Sequence, residues 1–78
     1  MDMDGYFDYE NKNYGYIIVD DDNPIRNVNG IEKMSRGVNI YLNGEHVCYF
    51  QIYGKVDELT NITHFMILDE YKKYIENK

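Results

Sequence analysis

Residues 38–53 read Val-Asn-Ile-Tyr-Leu-Asn-Gly-Glu-His-Val-Cys-Tyr-Phe-Gln-Ile-Tyr, and the way this stretch turns back on itself decides the fold. Apolar residues recur every second position on both sides of Asn43-Gly44, the period of a half-buried strand. Residues 38–42 and 45–53 therefore read as the arms of a hairpin. The loop length sets which side chains share a face. A two-residue loop would place Val38 and Ile40 opposite His46, Cys48, Phe50 and Ile52. A three-residue loop, Leu42-Asn43-Gly44 with Gly44 left-handed, brings all six onto one face. A one-residue slip would expose half the apolar set, so the three-residue loop is the expectation.

Working toward the N-terminus, residues 5–10 and 14–20 are strand-like, rich in tyrosine, isoleucine and phenylalanine, and Asn11-Lys12-Asn13 reads as the turn between them. Residues 20–24 form a loop of Asp, Asn and Pro. Residues 25–36 stay open: 25–28 and 31–34 flank Asn29-Gly30 as a second hairpin would, and an irregular loop with a helical turn reads almost as well. Toward the C-terminus, residues 55–63 are poor helix material, with a cap expected at Thr60 or Asn61. Beyond them Ile67, Leu68, Tyr71, Tyr74 and Ile75 form a stripe at helical spacing. The fold class is therefore α+β: a small antiparallel sheet of three to five strands, including the hairpin 38–53, with a C-terminal amphipathic helix over about 63–76 packed on one face.

The chain has 78 residues, a length that suits a single domain over 1–78. A domain this small buries only about 60% of its unfolded surface. Fourteen acids against eight bases give a net charge of −6, which argues against direct binding of nucleic acid or of an anionic membrane surface. No apolar run approaches the roughly 18 residues that span a bilayer. The acidic start, Met-Asp-Met-Asp-Gly, lacks the apolar core of a signal peptide, so a cytoplasmic setting is expected. One cysteine, Cys48, excludes an internal disulfide and a multi-cysteine zinc site. Asn, Ile, Tyr and Lys supply 33 of the 78 residues and alanine is absent. The former have A/T-rich codons and alanine G/C-rich ones, which points to a low-GC bacterium or one of its phages.

Catalysis finds little footing. A nucleophile needs Cys48 or Ser35 beside a histidine. His46 and Cys48, two apart on a strand, would share the apolar face, where a free cysteine packs as a small hydrophobe. His64 suits the surface or the start of the helix. Gly-rich phosphate loops, GxSxG and HExxH are all missing, so neither catalytic residues nor a cofactor is expected. A calcium loop fails in both acidic frames: from Asp21, Ile25 and Arg26 occupy positions 5 and 6, and from Asp2, Gly5 occupies position 4. No metal site is expected.

The charge is where the chain is unusual. Residues 1–22 hold seven acids and one base, and so account for the entire net charge, whereas residues 23–78 balance. If residues 2–10 are extended, Asp2, Asp4, Asp8 and Glu10 share a face with Tyr6, and Met3, Phe7 and Tyr9 turn toward the core. Neighbouring carboxylates about 6.6 Å apart repel by only about 0.6 kcal/mol in water, so the row is tolerable. On an outer strand such acids also discourage edge pairing and keep a small domain soluble. Five of the first sixteen residues are aromatic, and tyrosine is enriched at interface anchors. The candidate partner-binding residues are therefore Asp4, Tyr6, Asp8, Tyr9, Glu10, Tyr14, Asp20, Asp21 and Asp22.

In size and in the row Asp2, Asp4, Asp8, Glu10, Asp20, Asp21, Asp22, the chain resembles small acidic phage proteins that inhibit host enzymes, the anti-CRISPR and DNA-mimic inhibitors. That resemblance implies a stoichiometric inhibitor of a bacterial nucleic-acid-handling defence protein, its carboxylates standing in for phosphates before Arg or Lys of the target. An antitoxin, immunity protein or regulatory subunit neutralising a basic partner would use the same face. A homodimer paired through an exposed edge strand is the third reading.

Overall fold

The computed structural model describes residues 2–19, 24–28 and 31–77. Five strands, β1 (Gly5–Tyr9), β2 (Lys12–Val19), β3 (Pro24–Val28), β4 (Ile31–Leu42) and β5 (Glu45–Lys55), are followed by helices α1 (Val56–Leu59) and α2 (His64–Glu76). All pairings are antiparallel, and β4 is the spine. One edge of β4 carries β5. Its other edge carries β3 opposite residues 31–34 and β2 opposite residues 37–42, with β1 outside β2. The α+β class, the antiparallel sheet and the terminal helix are as the sequence predicts, and within the open segment residues 25–28 and 31–36 are strand, paired as a hairpin would pair them, while Asn29-Gly30 lies outside the described residues.

The central hairpin corrects the expected loop. Leu42 pairs with Glu45, so the loop is the two residues Asn43-Gly44, both with positive φ (52° and 83°), the type I′ geometry that matches strand twist. The extra residue lies instead in β5, where Ile40 pairs with Cys48 but Tyr41 pairs with His46. Val47 is a bulge. Val38, Ile40, Cys48, Phe50 and Ile52 consequently share the buried face, whereas His46 turns to the other side, away from Cys48.

The first hairpin is also tighter than expected. Tyr9 pairs with Lys12, so the turn is Glu10-Asn11, with φ of 51° and 63°, and not Asn11-Lys12-Asn13. Past the sheet, residues 56–59 form the short helix α1 and bury Leu59. The cap of α2 is Thr63 rather than Thr60 or Asn61, its hydroxyl accepting from the Met66 N–H at 3.4 Å.

The core lies between one sheet face and the helices. Val38, Ile40 and Ile67 are 0% exposed. Around them Phe7, Tyr14 and Tyr71 form an aromatic cluster with ring centroids 5.1–5.5 Å apart. Leu68, Tyr74 and Ile75 of the predicted stripe pack against this core. Because both helices cover the same face, the opposite face of the sheet has no layer over it among the described residues.

Candidate protein-interaction surface

Strand alternation determines what the uncovered face displays. Phe7, Tyr14, Tyr16, Val38 and Ile40 point inward, so Tyr6 and Asp8 of β1, Ile17 and Val19 of β2, Asn39 and Tyr41 of β4, and Tyr49, Gln51 and Tyr53 of β5 point outward. Tyr6, Tyr49 and Tyr53 are among the most exposed large side chains, Tyr53 at 65%.

Local contacts hold this face in shape. Tyr53 donates its hydroxyl proton to Gln51 Oε1 at 2.6 Å. His46 Nε2 lies 2.9 Å from Asn39 Oδ1, and its ring stands edge-on to Tyr41 at 5.3 Å. Asn13 donates to the Asp8 carboxylate at 2.9 Å. The Tyr49 ring lies over Gly37, in the space a side chain would take. A groove of about 290 Å³ runs between Tyr6, Tyr41 and the Asn43-Gly44 turn.

The acidic row does not persist as drawn. Asp4 sits in a bend before β1, where its N–H donates to Tyr16 O at 2.8 Å and its carboxylate accepts the Ile18 N–H at 2.7 Å. Its charge therefore secures the β1–β2 edge and, after burial, is the second cause that raises the Tyr16 phenol above its usual value. Asp8 points outward and Glu10 is exposed in the turn. Met3 does not face the core: it lies over Gly15 beside Tyr6. Tyr14 is buried, and Tyr9 packs edge-on against Tyr71 at 5.7 Å, so both serve the core. Asp20, Asp21 and Asp22 lie outside the described residues.

Comparison with protein-family models, with curated proteins and with solved structures finds no match. The surface must be interpreted from its own chemistry. Among the described residues no three of His, Cys, Asp and Glu gather as metal ligands, and Cys48 is buried. No helix of the described residues is long and apolar enough to cross a membrane. What the face offers is flat, aromatic and hydrogen-bonding, with carboxylates at the β1 margin. Tyr41, Tyr49, Gln51 and Tyr53 were legible in the alternation of residues 38–53, as the complement of the apolar set, but charge alone does not single them out.

Proposed function

We propose that this chain is a binding protein without catalysis of its own. It acts in a bacterial cytoplasm as a phage- or mobile-element-encoded inhibitor of a nucleic-acid-handling defence protein. The observation that carries this reading is the uncovered sheet face, which displays Tyr6, Tyr41, Tyr49 and Tyr53 and has Asp8 and Glu10 at its β1 margin. Tyrosines provide rigid contact area at low entropic cost. The acid margin steers the face toward Arg and Lys of a groove built for phosphates and suppresses binding of nucleic acid itself. Asp4 is not part of the docking set, because its carboxylate is engaged with β2.

The test is capture of host proteins on the tagged chain from a low-GC bacterial lysate at low and high salt, repeated with Tyr6→Ala/Asp8→Asn/Glu10→Gln and with Tyr49→Ala/Tyr53→Ala. A nuclease or other nucleic-acid-handling protein that elutes as salt rises, and that both variants bind at least tenfold more weakly, is the expected result. A small basic toxin as the captured protein replaces the inhibitor reading with the antitoxin one. Capture unchanged in both variants removes the face from the mechanism.

A further inference from the structure

Among the sheet's outer strands, β1 and β5 are built differently. β1 has five residues and begins beside Asp4, and a short, charged edge resists pairing. β5 has eleven residues, and among the described residues no strand pairs on its far side. Beyond the bulge at Val47, residues 48–54, Cys-Tyr-Phe-Gln-Ile-Tyr-Gly, are regular, uncharged and mostly apolar. An edge of about 23 Å whose far side carries no strand is a template for another strand.

We infer that this edge pairs with β5 of a second copy, antiparallel about a two-fold axis through Gln51. An axis on a residue, rather than between residues, is required, because only then do core-facing positions meet core-facing ones. Gln51 is the centre of the regular stretch. The register sets Phe50 against Ile52 of the second copy, which continues the apolar layer, and Tyr49 against Tyr53, which forms two cross-strand aromatic pairs on the outer face. At the axis the two Gln51 amides meet. Each Oε1 already accepts from its own Tyr53 hydroxyl, which leaves the NH₂ groups for the opposite chain.

Charge agrees with the antiparallel sense. Parallel pairing would set the two Glu45 carboxylates side by side, whereas the antiparallel sense places them at opposite ends, each near Lys55 and Asp57 of the other copy. Beside the same edge runs a groove of about 570 Å³ lined by Phe50, Gln51, Glu70, Lys73 and Tyr74. The two-fold brings a second α2 alongside it in reverse, while Lys73 of each copy keeps its own Glu70 at 3.5 Å. The product is a closed, isologous dimer with one continuous sheet. Both tyrosine faces lie on the same side, so the dimer presents two docking faces.

Sedimentation velocity over a concentration series tests the association, and oxidative cross-linking of Gln51→Cys tests the register. Cross-strand partners have Cα atoms about 4.5–5.5 Å apart, within disulfide reach. The expected results are a concentration-dependent dimer, rapid cross-linking of Gln51→Cys but not of Glu45→Cys, and at least tenfold weaker dimerisation of Gln51→Lys, which places two ammonium groups at the axis. Thermal unfolding of Gln51→Lys that matches the parent by circular dichroism at a dilution where both are monomeric separates lost pairing from lost folding. A chain that stays monomeric at every concentration, cross-linking of Glu45→Cys in preference to Gln51→Cys, or an edge occupied only by a strand of a different protein overturns the inference.

Discussion

Tyr14 and Tyr71 meet at the sheet–helix boundary with ring centroids 5.1 Å apart. Burial and a hydrogen bond with Tyr14 hold the Tyr71 phenol well above its ordinary value of 10.0. Each ring is nearly sealed from water, at 7% and 5% exposure. The contact ties β2 to α2 through the hydrogen bond between the Tyr71 and Tyr14 hydroxyls, which favours the neutral form of Tyr71. Phe7, which stacks on Tyr14 at 5.3 Å, covers the same site from β1.

The pairing makes stability sensitive to alkali. The folded state keeps the Tyr71 and Tyr16 protons to a higher pH than the unfolded chain does, so their contribution is fully present below the unfolded pKa of about 10 and is lost as pH rises above it. Thermal unfolding at stepped pH is expected to show a flat plateau through neutrality and a decline beginning near pH 10. Tyrosinate absorbance should include a late fraction, from Tyr71 and Tyr16, that rises together with unfolding. A single stage that leaves the fold intact would contradict the sealed geometry.

Leu59 is 1% exposed although it belongs to a helix of only four residues. A helix this short has almost no stability of its own, so the direction of dependence is clear: Leu59 anchors α1 beneath the end of β5. Truncation to alanine should cost about 2–5 kcal/mol, a large share of the stability of a small domain. Urea unfolding of Leu59→Ala is expected to move to much lower denaturant with a similar slope. A shift within the range of a surface substitution would show that α1 is not anchored there.

Glu10 carries φ of 51° in the first turn, a left-handed conformation that disfavours a residue with a long side chain. Replacing Glu10-Asn11 by Asn-Gly installs the pair that the type I′ geometry prefers. We expect a gain of about 1 kcal/mol, which for a domain of this size corresponds to a rise of about 4–8 °C in melting temperature. The same exchange removes one carboxylate from the β1 margin, so partner binding should weaken while stability increases. A variant that melts at or below the parent would show that the native turn is not strained.

These three sites mark what the sequence discloses and what it hides. Period-two alternation in residues 38–53 and helical spacing from Ile67 to Ile75 are long-range signals of burial, and they located the sheet, its buried face and the helix. The bulge at Val47 stayed hidden because an extra residue in the loop or in the strand gives the same parity to Cys48, Phe50 and Ile52. His46 alone distinguishes the two. Glutamate is a poor indicator of a left-handed turn, so the asparagines drew the first hairpin turn one to two residues too far along. At the candidate surface, charge counted residues without saying where they bond: Asp4 belongs to the β1–β2 edge, and Tyr9 and Tyr14 to the core. Tyrosine is apolar enough for either face, and only the register assigns Tyr49 and Tyr53 to the outside.

Gly5 and Gly37 provide a paired test of the two faces. A Cβ on Gly5 would collide with the ring of Tyr16, and one on Gly37 with the ring of Tyr49. The obstacles differ in freedom: Tyr16 is 5% exposed within the core, whereas Tyr49 is 45% exposed on the open face. Gly5→Ala forces a packed ring to move and should cost about 1–3 kcal/mol, as overpacking does. Gly37→Ala only pushes Tyr49 outward, so the loss should fall within the range of about 0.5 kcal/mol typical of surface changes. Its effect should appear in association, since Tyr49 leaves the position from which it meets Tyr53 of a second copy. Chemical unfolding of both variants, with sedimentation of Gly37→Ala, separates the outcomes. Equal destabilisation by the two alanines would mean that the outer tyrosine is held as firmly as the inner one, and that the open face is more rigid than its exposure suggests.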